Sequence, residues 1–125
     1  MSSNSTESSA ETNVFCPNLG SKFLAVVTED AKLIVESHPY LTLLRVIEFV
    51  GIDKVANLNL MATDDLPFIS KKPHSSGIYN FNDYKRINED WYVFTAMNLK
   101  GKVAIIEKIG HLTGHKFTCA TKRIS

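Results

Sequence analysis

The sequence has few of the residues that mark secreted, membrane-spanning or nucleotide-binding proteins. It has two cysteines among 125 residues, Cys16 and Cys119, which are too few for the disulfide framework of a small secreted domain. Its longest apolar run, LTLLRVIEFVG, is interrupted by Arg45 and Glu48 and falls short of the ~20 residues that cross a bilayer. It also contains no glycine-rich phosphate loop. These absences exclude a disulfide scaffold, a spanning helix and the common nucleotide-binding loops.

The first fourteen residues, MSSNSTESSAETNV, contain no basic residue and no apolar stretch. A secretory signal needs both, and a mitochondrial presequence needs arginine, so we expect a cytoplasmic or nuclear protein without a membrane span. Because this Ser/Thr/Glu-rich segment has nothing to bury, we predict a disordered tail over residues 1–14. Residues 15–125 are enough for one domain core and too few for two.

Charge is distributed unevenly along the chain, although the net charge is only +1. Residues 1–70 hold four basic and nine acidic side chains, a net charge of −5, and residues 71–125 hold ten basic and four acidic, a net charge of +6. Such a distribution suits an anionic partner for the basic half or head-to-tail self-association. It can equally average out when both halves fold into one domain.

Two segments after the tail have clear secondary-structure patterns. The apolar runs FLAVV and KLIVES flank the polar TEDA, which predicts a β-hairpin with both strands substantially buried; a helix over AKLIVES is the alternative. In HPYLTLLRVIEFVG, Pro39 suits a first helical turn and Gly51 suits the position after a helix end, which predicts a helix over residues 39–50. The apolar residues at helical spacing are Tyr40, Leu43, Leu44, Ile47 and Val50.

The middle of the chain is less regular. In residues 53–62, DKVANLNLMA, leucine and asparagine alternate as in a strand, whereas Asp53 suits the start of a short helix. We prefer the strand. A polar segment follows at about residues 70–90, SKKPHSSGIYNFNDYKRINED, which is long for a structureless connection, and loops of this length are usually functional or mobile.

Three β-branched or aromatic runs occupy the last third of the chain. They are WYVFTAM, KVAIIEKI and HKFTCAT, separated by NLKG and GHLTG. This arrangement predicts a three-strand antiparallel meander. We therefore expect an α+β fold: a single small domain with a mainly antiparallel sheet and one principal helix.

A metal site is the first chemistry to consider, because His111, His115 and Cys119 recur at intervals of four residues. They would share a face of a helix, but the neighbouring glycines and threonines disfavour a helix. In a strand, His115 and Cys119 stand roughly 13 Å apart at about 3.3 Å per residue, which is too far for ligands of one zinc. We expect no metal site, and we interpret Cys119 as a small core residue beside Phe117.

No catalytic arrangement is recognisable in the sequence. Neither cysteine has the local signature of a nucleophile, and HSSG lacks the glycine pattern of a nucleophile elbow. Asp64 and Asp65 are neighbours in sequence and fit a solvated turn. We expect no enzymatic activity, no catalytic residue and no cofactor.

The candidate binding residues are aromatic and basic. We expect a non-enzymatic small subunit or adaptor that acts through protein–protein interaction, in a hetero- or homo-oligomer, because exposed aromatic residues often anchor interfaces. The expected partner-binding residues are Tyr79, Phe81, Tyr84, Lys85 and Arg86. The alternative is a small OB-like β-barrel that binds single-stranded nucleic acid through basic residues beside aromatic ones. Its expected contacts are Lys71, Lys72, Lys116, Lys122 and Arg123.

One stretch resembles a known family. Residues 87–101, INEDWYVFTAMNLKG, resemble the late-strand region of the fungal small subunit of replication protein A in the Trp-Tyr pair, the spaced Phe, the Asn and the Gly. The resemblance covers about fifteen residues, and the final helix of that family is not predicted here. It implies a small β-barrel. The hairpin followed by a helix fits equally a scaffold domain that pairs through its sheet edge or its helix.

Overall fold

The structure, a computed structural model, describes residues 22–122, which form strands and helices in the order ββααβββαβ. The strands are β1 (Ala25–Val27), β2 (Leu33–Val35), β3 (Ile69–Ser70), β4 (Tyr84–Arg86), β5 (Tyr92–Phe94) and β6 (Thr118–Ala120). The helices are α1 (Pro39–Val50), α2 (Ile52–Ala56) and α3 (Leu99–Thr113), with a 3₁₀ turn at Phe81–Asp83. The expected α+β class is confirmed. The predicted tail at residues 1–14, Cys16 and Arg123 lie outside the described residues.

The strands form two three-stranded sheets, and the pairs within each are antiparallel. The first sheet has the order β2-β1-β6, with Val26 opposite both Ile34 and Cys119. The second has the order β3-β5-β4, with Val93 opposite Ile69. Central strands β1 and β5 therefore carry the most buried positions, because each has a neighbour on both sides.

The hairpin β1–β2 forms where the sequence predicts it. Thr28 and Lys32 close it: the N–H of Thr28 donates to the carbonyl of Lys32 over 2.9 Å. The expectation that both strands are substantially buried is wrong for β2, since only Ile34 is buried and Leu33 and Val35 are exposed. The reason is orientation: Ile34 faces α1, whereas Leu33 and Val35 lie on the opposite face of the strand, which is exposed.

Helix α1 has the predicted bounds, Pro39–Val50. Its buried residues are Thr42, Leu43, Val46, Ile47 and Val50. The predicted apolar face is confirmed at three positions, whereas Tyr40 and Leu44 are only half-buried.

Thr42 is buried although it is polar, because its hydroxyl joins α1 to the hairpin. Its Oγ1 donates to the carbonyl of Leu24 over 3.1 Å and accepts from the N–H of Glu36 over 2.9 Å. Both backbone groups belong to the hairpin, one just before β1 and one just after β2. The hydroxyl therefore satisfies two groups that an apolar residue would leave without a partner.

The predicted C-terminal meander is wrong. Its middle run, KVAIIEKI, lies in α3, and the flanking strands β5 and β6 belong to different sheets. β-Branched residues favour strands, but Lys102, Ile106 and Ile109 recur at helical spacing and are all buried. Burial of this face outweighs the local preference, so residues 22–122 contain two long helices, α1 and α3, where the sequence predicted one.

The ends of α3 carry signals that are visible in the sequence. The side-chain oxygen of Asn98 accepts from the N–H of Gly101 over 2.8 Å, a typical helix start. Gly114 follows the helix with φ of +81°, a left-handed conformation that glycine adopts without strain. His111 therefore lies in the last helical turn and not in a connection between strands.

The preferred strand at residues 53–62 is also wrong. Residues Ile52–Ala56 form the short helix α2, which buries Val55. Asn59 then turns the chain with φ of +55°, and an isolated bridge joins Met61 to Pro67. The segment predicted as a long loop, residues 70–90, contains β4 and the 3₁₀ turn, so it is partly regular.

One core is shared by both sheets and all three helices. Its largest fully buried side chains are Phe68, Phe94, Leu24, Leu43, Ile47, Leu66, Ile106 and Ile109. Across residues 22–122, no helix is both long and apolar enough to cross a membrane.

Candidate functional site

The loop between β3 and β4 contains two turns closed by hydrogen bonds, and it presents two apolar side chains. Ser76 and Tyr79 exchange both of their backbone hydrogen bonds, each over 3.0 Å. The tight turn needs a left-handed residue, which Gly77 supplies with φ of +58°. Ile78 stands at the tip of the turn and is 86% exposed.

A second turn follows at once and is closed by side chains. The Oδ1 of Asn80 accepts from the N–H of Asn82 over 2.8 Å, and the Oδ2 of Asp83 accepts from the N–H of Asn80 over 2.9 Å. These reciprocal hydrogen bonds fix the 3₁₀ turn that carries Phe81, which is 60% exposed. We call Ile78 and Phe81 together the loop patch.

Two tyrosines attach this loop to the core. The rings of Tyr79 and Tyr84 pack edge-on against Phe94, with centroids 5.1 and 5.4 Å away. The Tyr84 hydroxyl donates to the carbonyl of Pro67 over 2.6 Å, and burial raises the pKa of that phenol to about 12. Tyr84 is therefore a core residue. The sequence analysis expected it to contact a partner, but its side chain is buried and cannot reach one. Ile78, which the sequence reasoning missed, takes its place at the surface.

Lys85 and Arg86 are exposed on β4 and already make contacts within the chain. The Lys85 ammonium lies 5.9 Å from the centroid of the Tyr40 ring. Arg86 donates from Nε to the carbonyl of Asn88 over 2.9 Å and from Nη2 to that of Glu89 over 3.1 Å. Arg86 thus holds the turn between β4 and β5, which leaves fewer of its donors for a partner.

The residues expected to contact nucleic acid lie in two separate places. Lys71 and Lys72 follow β3, and the ammonium of Lys71 lies 5.3 Å from the centroid of the Trp91 ring. Lys116 and Lys122 flank β6 in the other sheet. No single strand of the described chain carries both pairs.

Strand β6 alternates as the sequence predicts. From His115, three residues before the strand, to Ala120 at its end, the half-buried residues His115, Phe117 and Cys119 alternate with the exposed residues Lys116, Thr118 and Ala120. The alternation ends there, since Thr121 and Lys122 are both exposed. The His115 ring stacks on Phe117 with centroids 5.4 Å apart, and its Nδ1 lies 2.8 Å from a carboxylate oxygen of Glu29. One face of β6 is therefore solvated and positive.

The histidines and Cys119 do not assemble into a metal or nucleophile site. In the described part of the chain, no three His, Cys, Asp or Glu side chains come close enough to hold a metal ion. Burial, with a smaller contribution from the charge of Glu107, raises the pKa of the Cys119 thiol to about 11. The thiol stays protonated at neutral pH, and the reactive form of a cysteine is the thiolate.

A serine–histidine contact is present that the sequence did not reveal. The Oγ of Ser70 lies 2.8 Å from the Nε2 of His74. A serine nucleophile needs a base that a third group orients, and no carboxylate of residues 22–122 forms a hydrogen bond with His74. The His74 ring instead lies 5.8 Å from Tyr84, so the contact links the end of β3 to the core.

A positively charged cleft of ≈ 300 Å³ lies where α1 and α3 begin, beside β4. Its basic lining residues are Lys22, His38, Lys85 and Lys102. Lys102 is only 8% exposed, and its ammonium donates to the carbonyl of Met97 over 2.5 Å. Burial, and then the charge of Lys22, lower the pKa of Lys102. With two helix N-termini adding positive potential, the cleft favours anionic groups.

The cleft could not be found from the sequence, because its lysines lie on distant parts of the chain. The resemblance of residues 87–101 to the replication protein A subunit also implies a small barrel, whereas the described strands form two separate sheets. No family model, no curated protein and no solved structure matches this chain.

Proposed function

We propose that this protein is a non-enzymatic adaptor or small subunit that binds another protein through the loop patch. The observation that carries the proposal is the exposure of Ile78 and Phe81, 86% and 60%, on two turns that are each closed by hydrogen bonds. Side chains on turns that hydrogen bonds already hold lose less backbone entropy when they bind than those on an unconstrained loop. Exposed aromatic and aliphatic side chains of this kind anchor interfaces.

The surroundings of the loop patch support the same proposal. Exposed, uncharged polar residues flank it, namely Ser75, Asn80 and Asn82. An apolar centre with a polar rim is the usual anatomy of a protein interface. The fitting partner is therefore a protein with an apolar pocket or groove.

The proposal assigns the protein no catalytic step and no cofactor. The protonated thiol of Cys119 supports this part of the proposal, since the reactive form of a cysteine is the thiolate. The proposal places the protein in the cytosol or the nucleus.

The loop patch is tested by capture of partners from native extract. We expect Phe81→Ser and Ile78→Ser each to weaken capture of the main protein partner at least about tenfold, because each removes an apolar anchor. Leu112→Ser is the matched control, since Leu112 is 49% exposed on α3, away from this loop. Capture should survive nuclease treatment. Equal losses in all three variants, or no loss in the loop variants, would show that the loop patch does not bind the partner.

Contact with single-stranded nucleic acid is the second candidate function, and the positively charged cleft is the observation that favours it. Binding by phosphate neutralisation weakens steeply with salt, by about 0.7 in log K per contact for each unit of log salt. We expect Lys85→Gln, in the cleft, to reduce this slope for a single-stranded oligonucleotide. Lys54→Gln, which removes an exposed lysine of α2 outside the cleft lining, is the control. Recovery of salt-sensitive nucleic acid without a stable protein partner would overturn the adaptor proposal in favour of this one.

A further inference from the structure

Strand β2 forms one edge of the first sheet. Within residues 22–122 its only strand partner is β1, and an open groove of ≈ 410 Å³ lies between β2 and α1. Leu33 and Val35 are 60% and 38% exposed, whereas Ile34 between them faces the core. An edge strand with exposed apolar side chains is a template for pairing with another strand.

The backbone of β2 directs the N–H and C=O groups of Leu33 and Val35 away from β1. The Thr28 N–H donates to the Lys32 carbonyl over 2.9 Å, so Lys32 directs its backbone towards β1. In an antiparallel ladder, alternate residues direct their N–H and C=O groups to opposite sides. Ile34 therefore also bonds to β1, while Leu33 and Val35 present two donors and two acceptors at the edge that no strand of residues 22–122 covers.

The charges that flank β2 are complementary to those of a second copy. Lys32 precedes the strand and Glu36 follows it, and both are exposed. In an antiparallel pairing centred on Ile34, residue 32 of one copy lies opposite residue 36 of the other. The same register places Leu33 opposite Val35 of the second copy as hydrogen-bonded pairs. One face of the joined sheet then carries two Lys32–Glu36 pairs, and the other face carries two Leu33–Val35 pairs. Cross-strand pairs of both kinds stabilise a sheet.

At the opposite edge of the sheet, formed by β6, the flanking charges would repel those of a second copy. Antiparallel self-pairing centred on Cys119 would place Lys116 opposite Lys122 of the second copy. Like charges directly opposite one another destabilise strand pairing, and lysine is a common protection of sheet edges. Self-pairing is therefore disfavoured at β6 and favoured at β2.

We propose that two copies of this chain pair through β2 as a two-fold symmetric homodimer with one continuous six-stranded sheet. The strand order is β6-β1-β2-β2-β1-β6, and the interface uses the same residues from both copies. The proposal does not rest on the loop patch, which belongs to the connection between β3 and β4. Because each copy contributes a strand of three residues, the interface is small and the association is weak and concentration-dependent.

Charge exchange across the interface is the direct test, measured by sedimentation of the full chain over about three decades of concentration. We expect the unmodified chain to dimerise. Lys32→Glu and Glu36→Lys each place like charges opposite one another twice per dimer, so each alone should weaken dimerisation about tenfold or more. In an equimolar mixture the two variants oppose unlike charges at both sites and should form a heterodimer. The double variant Lys32→Glu/Glu36→Lys should recover self-association.

The register is tested by nuclear magnetic resonance of a dimer in which one copy is isotope-labelled. At the two-fold axis the two Ile34 residues form a non-hydrogen-bonded pair with Cα atoms about 4.5 Å apart. We expect a contact between their Hα atoms, and slower amide exchange at Leu33 and Val35 when the protein is concentrated.

The variants have small intramolecular costs that a denaturation control separates from dimerisation. Lys32→Glu removes a contact with the Phe49 ring over 5.3 Å, and Glu36→Lys removes an exposed ion pair with Arg45 over 3.0 Å. Exposed pairs contribute little, so denaturation midpoints of the monomers should hardly move.

Three outcomes would overturn the proposal. The first is an unmodified chain that stays monomeric at the highest concentration. The second is single variants that dimerise as the unmodified chain does, which would place the interface elsewhere. The third is slow amide exchange at Leu33 and Val35 that persists in dilute monomer, which would assign this edge to another segment of the same chain.

Discussion

Phe94→Ala is expected to lower the free energy of unfolding by about 3–5 kcal/mol. Phe94 is fully buried in β5, where its ring supports both Tyr79 and Tyr84 and its N–H donates to the carbonyl of Phe68 over 2.8 Å. The substitution removes a large apolar side chain and leaves a cavity that its aromatic neighbours fill only in part. Chemical denaturation, followed by tryptophan fluorescence of Trp91, measures the loss.

Phe81→Ala is the matched control for Phe94→Ala, because the same side chain is removed from the surface. Phe81 is largely exposed, so its loss should change the free energy of unfolding by no more than about 0.5 kcal/mol. Partner capture, measured per folded molecule, should fall more in Phe81→Ala than in Phe94→Ala, because Phe81 contacts the partner directly. Similar costs in stability for both would contradict the placement of Phe94 in the core.

Alkaline pH is expected to destabilise the protein. The pKa of the Cys119 thiol rises from its ordinary value of 9.0 to about 11, and that of the Tyr84 phenol rises from 10.0 to about 12. Burial is the main cause in both. Between the ordinary and the raised values, the unfolded chain releases protons that the folded chain keeps, so the free energy of unfolding falls as the pH rises through this range. The loss is of the order of 2 kcal/mol for Tyr84.

Chemical denaturation at a series of pH values between 8 and 12 measures this loss of unfolding free energy, with one variant for each of the two groups as a control. Tyr84→Phe should remove the part of the decline above about pH 10, and Cys119→Ala the part that begins near pH 9. Lys102 contributes with the opposite sign, because its pKa is lowered, but it is common to every variant and cancels in the differences. A decline of the same size in all three proteins would show that other groups cause it.

Features that depend on residues close together in sequence were predictable. Pro39 and the apolar spacing that follows it predict α1 within its observed bounds. The polar TEDA between two apolar runs predicts the β1–β2 hairpin, and the alternation of residues 115–120 predicts which face of β6 is solvated. Each of these depends on helix periodicity, strand periodicity or turn chemistry, which operate over a few residues.

The candidate sites were predicted less completely. Phe81 lies at the surface as expected of a binding residue, but Tyr84 lies in the core and Ile78 was missed. An aromatic residue in a polar segment can anchor the loop or meet a partner, and only its packing distinguishes the two roles. At β2, the complementary Lys32 and Glu36 are visible in the sequence, but their meaning depends on the strand being an edge.

By itself the sequence determined the α+β class, the hairpin, α1 and the lack of a long apolar helix in the part of the chain that the structure describes. Only the tertiary structure decided that KVAIIEKI forms a helix, that Thr42 is buried, and that Lys22 and Lys102 line one cleft. The physical reason is the same in each case. Local preferences of these residues are weak or divided, and the free energy that decides between them comes from contacts with residues distant in sequence.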